Sequence, residues 1–126
     1  MFEEVGNIIR SRYATAFPAI PTQYDNGPPC VTTGLWVRLT ILWGSVQATE
    51  INGNMRLVGV VSMQMRQPFI TGEQALLQLG DQIADVFRSI QVQNVTFRTP
   101  SVESFGRDGA YWLMNVSCPF FADEVA

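Results

Sequence analysis

Two carboxylates one helical turn apart are the first residues whose spacing suggests chemistry. Asp81 and Asp85 lie within an apolar pattern of helical period, so both would share one helical face. Such a pair could share a proton or bind a divalent cation, but calcium and magnesium need several further oxygen ligands, which no nearby spacing supplies. Arg88 follows three residues after Asp85 and would offset the like charges. We therefore interpret the two aspartates as part of a solvated helix face and predict no metal site.

The two cysteines, Cys30 and Cys118, could in principle act as nucleophiles or metal ligands. Neither belongs to a Cys-x-x-Cys pair, which would be typical of a redox or zinc site. A thiol nucleophile also needs a neighbouring base, and Cys118 lies on the apolar side of a predicted strand. The pattern predicts two free thiols, with Cys118 in the core.

The absence of two residue types excludes more chemistry than any pair suggests. All eight basic residues are arginine, and the chain has neither histidine nor lysine. Nucleophiles activated by histidine, imidazole zinc ligands, lysine Schiff bases and phosphate-loop lysines are therefore excluded. The formal net charge of −3 also argues against a protein that follows a nucleic-acid backbone. The sequence predicts no enzyme activity and no cofactor.

Charged residues are scarce for a chain of this size. The 126 residues fit one domain, residues 1–126, that can bury a sizeable core. Only 15% of them are charged and 47% are hydrophobic, whereas about 25% charged is typical of soluble domains. Part of the surface must then be neutral or apolar, as at a subunit interface, so we expect an oligomer. No signal peptide and no apolar run of about 18 residues is visible, so we expect folding in a cytosol and no membrane partner.

Hydrophobic periodicity predicts two helices and several strands. Helical spacing marks one helix over residues 2–17 and another that follows a capping box at residues 71–74, with an apolar stripe that continues to Ile90. Alternation of apolar and polar residues predicts the strands. These are residues 35–43, 55–68, 95–99 and 111–121, with a short edge strand over 20–24.

The order of these elements predicts an α+β fold with a mostly antiparallel sheet and both helices packed on one face. The strands over 35–43 and 55–68 should pair antiparallel. Residues 44–54 and 104–109 are predicted loops, and the first contains Asn52-Gly53, a dipeptide that tolerates the positive φ angles of a turn.

The two predicted loops and the adjoining strands supply candidate contact sites, although a mobile loop without a partner explains either loop as well. Met63 and Met65, with Trp43 across the proposed hairpin, could form an adaptable apolar surface or ordinary core. Scarce, well-spaced arginines are candidates for fixing contacts between subunits. The candidate interface residues are Arg38, Trp43, Gln47, Glu50, Asn52, Arg56, Met63, Met65, Arg66 and Arg107.

A series of short motifs in a fixed order covers nearly the whole chain. The motifs are Tyr24-Asp25-Asn26 followed by prolines, Trp36-Val37-Arg38, Asn52-Gly53, Arg56 with Gly59, Pro68, Thr71-Gly72, Ala84-Asp85 with Phe87, Val95-Thr96-Phe97 with Pro100, Gly109, Pro119-Phe120 and Ala122-Asp123. In this order and spacing the chain resembles the tail terminator proteins of long-tailed, lambda-like bacteriophages.

The resemblance implies a small α+β subunit that assembles into a ring, expected to be a hexamer, on the last ring of the tail tube. Such a ring stops tube polymerisation and presents the surface to which the head is joined. The implied partners are further copies of the chain, the tail tube protein and a head-completion or neck protein. The implied location is the head-proximal end of the virion tail, after assembly in the host cytoplasm. The acidic balance would let DNA pass through the channel without specific binding.

Two other interpretations stay open at this point. The chain could be a neck or head-completion protein, which also forms rings at the portal end. It could instead be a cytosolic ligand-binding or hydrolytic α+β domain with a pocket under the long helix. The second alternative predicts a deep polar cavity with carboxylates of perturbed pKa.

Overall fold

Three long strands lie side by side at the centre of one sheet. The computed structural model describes residues 2–25, 27, 29–30, 33–48, 55–69 and 74–124. Its helices are α1 (Phe2–Ala16) and α2 (Gln74–Phe87), and neither is long and apolar enough to span a membrane. Its strands are β1 (Thr22–Tyr24), β2 (Trp36–Ala48), β3 (Met55–Pro68), β4 (Gln91–Val92), β5 (Val95–Phe97), β6 (Ser101–Asp108) and β7 (Tyr111–Glu124). The long central strands are β2, β3 and β7.

The strands of the described residues form a mixed sheet in the order β1-β2-β3-β7-β5-β4, with β6 also paired to β7. The pairs β2–β3, β3–β7, β5–β7, β6–β7 and β4–β5 are antiparallel. In contrast, β1 runs parallel to β2, with Thr22 beside Val37 and Tyr24 beside Leu39. The prediction of a mostly antiparallel sheet is therefore wrong, whereas the α+β class and the antiparallel pairing of β2 with β3 are confirmed.

The direction of β1 follows from the path of the chain around it. After Tyr24 the chain returns to the end of the sheet at which β1 began, and only then enters β2 at Trp36. A parallel pair needs such a return connection, whereas a hairpin would reverse the strand. The alternation of apolar and polar residues marks a strand but carries no information about the direction of its neighbour, so the sequence could not show this pairing.

One carboxylate fixes β1 and α1 against β2. The Asp25 side chain follows β1 directly, and its Oδ2 accepts a hydrogen bond from the Ile41 amide at 3.2 Å. Its Oδ1 accepts from Nη2 and Nε of Arg10 on α1, at 2.9 and 3.2 Å. Both side chains of this ion pair are about three-quarters buried, with 20% and 24% of their surface exposed. Asp25 thus extends the β1 ladder by one bond after the strand itself has ended.

The core lies between one face of the sheet and the two helices. Buried residues alternate along β3 and β7, so that one parity of each strand faces the helices. The helices contribute their apolar stripes to the same cluster, and this confirms the predicted core parity. The central buried residues are Val5, Ile9, Tyr13, Val37, Leu39, Leu57, Val61, Met63, Met65, Leu76, Ile83, Phe87, Phe97, Val116, Cys118 and Phe120. The other side of the sheet, here called the open face, carries the opposite parity.

Several predicted element bounds need correction. The loop predicted over 44–54 begins too early, because β2 continues to Ala48 after a bulge between Trp43 and Val46. The loop predicted over 104–109 is mostly strand, because β6 continues to Asp108 across a bulge between Ser104 and Gly106. A bulge inserts one unpaired residue and breaks the alternation from which a strand is recognised. Helix α2 ends at Phe87 rather than Ile90, where Ser89 adopts a left-handed φ of 46°, and Thr71 of the predicted capping box lies outside the described residues.

The Asp25 contacts generate a stability prediction. Asp25→Ala should lower the free energy of unfolding by about 1–3 kcal/mol, because it leaves the Ile41 amide and the mostly buried Arg10 without their partner. Urea unfolding followed by circular dichroism measures this loss. Asp85→Ala is the matched control, since its pair with Arg88 is mostly exposed and should matter little. Equal losses in the two variants would contradict the role assigned to Asp25.

Candidate assembly interface

Large apolar side chains are exposed at one end of the sheet, on the face that the helices cover elsewhere. Phe2, Trp43, Val46 and Met55 are between 37% and 47% exposed. The strand residues of this group have the same parity as the core residues, since Trp43 pairs with Gly59 and Val46 pairs with the buried Leu57. We call this group the end patch. It continues the core beyond the point at which the helices cover it.

Trp43 is held in the end patch by two aromatic rings. It meets the ring of Phe2 edge to face at 5.1 Å between centroids and that of the buried Phe120 at 6.1 Å. Gly59 lies between Trp43 and Phe120 in the strand order, and a Cβ there would come within 2.8 Å of the Phe120 ring. The glycine thus gives Phe120 the space to reach across β3. Trp43 is therefore a fixed, half-exposed surface residue.

A polar row crosses the open face near the same end. Gln47, Arg56 and Asp123 are paired across β2, β3 and β7. Arg56 donates to the Asp123 carboxylate from Nε at 2.7 Å and from Nη2 at 3.0 Å, in a bidentate arrangement. The hydrogen bond from Arg56 lowers the pKa of Asp123 below its usual value and raises that of Arg56. The Arg56 guanidinium also stacks on the Phe121 ring at 4.1 Å.

At the opposite end of the sheet, Arg107 belongs to a cluster with Phe69, Gly109 and Trp112, here called the Arg107 cluster. Arg107 on β6 lies over the Phe69 ring at 3.9 Å and donates from Nε to the Gly109 carbonyl at 2.9 Å. Trp112 stacks on Phe69 and donates its indole N–H to the Phe69 carbonyl. These contacts hold the β6–β7 hairpin against the end of β3. The Arg107 side chain thus serves the fold of its own chain.

The remaining candidates are dispersed. Arg38 is exposed in the middle of β2 and, with Tyr24 and Asp25, borders a shallow groove of about 280 Å³. Arg66 pairs with Trp36, and its guanidinium lies 5.8 Å from the Trp36 ring. Met63 and Met65 have no exposed surface, which is the core alternative that the sequence left open.

Glu50 and Asn52 lie outside the described residues. The described candidate residues thus lie in several separate places. Some belong to the end patch and the polar row, Arg107 belongs to its own cluster, and the others lie on β2, on β3 or in the core.

Sequence reasoning missed other exposed apolar residues. Phe2, Val46 and Met55 belong to the end patch, and Val102 and Phe105 are 40% and 53% exposed on β6. The missing signal was the strand character of residues 44–48 and 101–108. An apolar residue in a loop is unremarkable, whereas one on an uncovered strand indicates a missing neighbour.

The described residues contain no arrangement suited to catalysis. No group of three or more His, Cys, Asp or Glu side chains that could hold a metal ion occurs among them. A groove of about 530 Å³ lies beside α1 and is lined by Arg12, Val86 and neighbouring residues without a carboxylate. Arg12 donates from Nη2 and Nε to the Val86 carbonyl, at 2.8 and 3.2 Å. Asp85 is largely exposed beside Arg88, as the sequence predicted.

Two buried acids have strongly raised pKa values. Burial raises the pKa of the Cys118 thiol to about 12, and the thiol donates a hydrogen bond to the Arg98 carbonyl at 3.2 Å. Burial also raises the pKa of Tyr13 to about 12, and the hydrogen bond to Thr22 opposes this shift. A protonated, buried thiol is a poor nucleophile. Cys118 is therefore a core residue, as predicted.

Comparison with solved structures finds this fold in another protein. One chain superposes with a TM-score of 0.66 over 92% of this chain and 94% of its own length, at 16% sequence identity, and its name describes no function. No family model and no curated protein matches the sequence. At this identity the likeness concerns the fold alone, so function has to be argued from the surface of the molecule.

The raised pKa values predict a loss of stability in alkali. The native state keeps the Cys118 and Tyr13 protons up to about pH 12, whereas the unfolded chain releases them from about pH 8.5 and 10 respectively. The stability that these two protonated groups contribute is fully present below the pKa values of the unfolded chain. It declines as the pH rises from those values towards 12. The free energy of unfolding in urea should therefore fall between pH 8 and 10. The fall should be smaller in Cys118→Ala and unchanged in the control Cys30→Ala, and an equal fall in all three proteins would contradict the assignment.

Proposed function

We propose that this protein is a ring-forming tail terminator of a long-tailed phage. In this role it caps the tail tube, stops tube polymerisation and provides the surface for head joining. The observation that carries the proposal is the exposure of apolar side chains on the strands at the margins of the sheet, in a chain with few charges. Such a surface favours a subunit that is completed by its neighbours. The location would be the head-proximal end of the virion tail.

The motif resemblance supports the phage setting, and its pieces meet in the fold. Arg56 and Asp123 belong to separate motifs and form the bidentate ion pair on the open face. Asp25, from the first motif, ties β1 and α1 to β2. Gly59, from the same motif as Arg56, lies against the ring of Phe120 from the closing motif. Residues far apart in the motif series are thus the ones that the fold brings together.

The proposed partners are further copies of the chain, expected in a hexamer, with the tail tube protein on one side and a head-completion protein on the other. DNA would pass through the channel without specific binding, in keeping with the acidic balance of the chain. A ligand-binding domain is less well supported, because it predicts a deep polar cavity. The groove of about 530 Å³ beside α1 is open and has no carboxylate in its lining.

Electron microscopy of phage lysates made with and without this gene product tests the proposal. Loss of a terminator should give tubes of uncontrolled length and unattached heads. Tails of normal length that fail to join heads would instead indicate a neck protein. A phage unaffected by the loss would overturn both roles.

Arg56→Ala should impair assembly while leaving the fold intact. The substitution removes an exposed ion pair and a ring contact from the surface but leaves the core unchanged. The expected result is uncontrolled tail length with little change in melting temperature. Arg88→Ala is the matched control, because Arg88 makes an exposed ion pair on α2, away from the strand margins. Normal tail length and infectivity with Arg56→Ala would contradict a role of this surface in assembly.

A further inference from the structure

Among the described residues, no strand pairs with the outer edge of β2 over the second half of that strand. Pairing with β1 ends at Leu39, and the Asp25 carboxylate accepts a hydrogen bond from the Ile41 amide. The amides of Val37 and Ile41 thus point outward, and alternation along the strand places the Trp43 amide on the same edge. No strand of the described residues pairs with this edge beyond Ile41. We call residues 42–48 the β2 edge.

A second such edge lies on the other side of the sheet, along β6. The Arg98 amide donates to the Pro119 carbonyl, so Pro119 and every second residue of β7 direct their backbone groups towards β5 and β6. The pair Glu103–Asn115 is then hydrogen-bonded, and the amides of Val102 and Ser104 point away from β7. No strand of the described residues takes these amides. We call Ser101–Asp108 the β6 edge.

Exposed apolar side chains are concentrated on these two edges. Of the eight large hydrophobic side chains exposed among the described residues, five lie there. They are Leu42, Trp43 and Val46 on the β2 edge, and Val102 and Phe105 on the β6 edge. Natural sheets usually protect such edges with lysine, proline or inward charges, but residues 42–48 contain neither a charge nor a proline. The β2 edge thus lacks these protective residues, whereas the β6 edge includes the charged residues Glu103, Arg107 and Asp108 beside its exposed apolar side chains.

The two edges suit each other in direction. Strand β2 is antiparallel to β3, β3 to β7, and β7 to β6, so β2 and β6 run in opposite directions. Rotation about an axis near the strand direction leaves the direction of each strand unchanged. It would therefore place β2 of one copy antiparallel to β6 of the next. The edges lie on opposite sides of the sheet, so each copy can use both. This is a head-to-tail contact, which forms a ring where the rotation between copies closes and an open filament where it does not.

The edges are also displaced along the strands. Residues 46–48 of β2 lie level with residues 55–57 of β3, whereas β6 lies level with residues 62–68. Pairing the β2 edge of one copy with the β6 edge of the next gives neighbouring sheets a stagger. A closed barrel of tilted strands requires such a stagger.

We infer that the β2 edge of one copy pairs antiparallel with the β6 edge of the next, so that backbone hydrogen bonds join the sheets into one continuous sheet around the ring. Closure into a ring rests on the proposed function, whereas the edge pairing is carried by the strand geometry. The occupant of each edge is a second copy of this chain, because the chain itself supplies the apolar, antiparallel complement.

Two single variants and their mixture test this pairing. Ser104→Pro removes an outward amide from the β6 edge without breaking the bonds to β7, and Ser104→Ala keeps that amide as its control. Leu42→Asp places a charge on the β2 edge, and Leu77→Asp, on an exposed leucine of α2, is its control. Circular dichroism and melting temperature establish that each variant is folded. Native mass spectrometry and sedimentation, up to the highest soluble concentration, measure association.

The wild type and both controls should form rings, whereas Ser104→Pro alone and Leu42→Asp alone should remain monomeric. An equimolar mixture of these two variants should form dimers and nothing larger, because the intact β2 edge of one can pair with the intact β6 edge of the other. Amides at Trp43 and Ser104 should become protected from hydrogen exchange when the wild type assembles. A monomeric wild type, assembly of either blocked variant alone or a mixture that stays monomeric would overturn the pairing.

The two proposals fail in distinguishable ways. If the chain assembles edge to edge but tails keep their normal length without it, the terminator role is wrong and the edge pairing stands. If loss of the chain gives overlong tails but Ser104→Pro still assembles and restores normal length, the terminator role stands and the edge pairing is wrong.

Discussion

The uninterrupted pairing of β3 with β7 is the constraint on which the rest of the molecule depends. The two strands are in register from Met55 beside Glu124 to Pro68 beside Tyr111, without a bulge. One face of this ladder is buried along its length, and a slip by one residue would bring Ser62, Gln64 and Arg66 into the core. Hydrophobic burial therefore sets the register of the centre. The bulges occur further out, in β2 and β6, where each strand has a less complete set of neighbours.

The length of these strands explains why apolar surface is left uncovered. A helix of 14 residues such as α2 is about 21 Å long, whereas a strand of 14 residues spans about 46 Å. The core parity of the strands therefore continues beyond the helices, and Trp43, Val46 and Met55 remain half-exposed, with the Phe2 ring against Trp43. The end patch results from joining long strands to short helices, and only further chain or a neighbouring molecule can complete its burial.

Hydrophobic periodicity predicted the elements that bury one continuous apolar stripe. It failed where a long-range contact or a β-bulge determines the structure. Helix α1, the bounds of β3 and the buried parity of β7 follow from a single apolar stripe, and all were predictable. The parallel strand β1 is held in place by the Asp25 contacts to Arg10 and Ile41, which lie 15 and 16 residues away in sequence and leave no periodic pattern. The strand character of β6 is hidden by its bulge. Met63 and Met65 could not be assigned to core or interface, because both environments select the same residue types.

The use of the arginines indicates what kind of contact can hold the assembly together. The sequence suggested that scarce arginines fix the geometry between subunits. In the fold, Arg10 forms an ion pair with Asp25, and Arg56 forms one with Asp123. Arg12 donates to the Val86 carbonyl, and Arg107 lies over the Phe69 ring and donates to the Gly109 carbonyl. Arg10, Arg12 and Arg107 stabilise their own chain, whereas the Arg56 pair stays half-exposed on the surface. The strand edges that no described strand pairs with offer backbone groups and apolar side chains in addition. Contacts between copies would then depend mainly on strand pairing and hydrophobic burial, which are screened by salt far less than exposed ion pairs are. The low charge of the chain fits the proposed arrangement, because sheets that continued from copy to copy would leave little strand margin for charged side chains to cover.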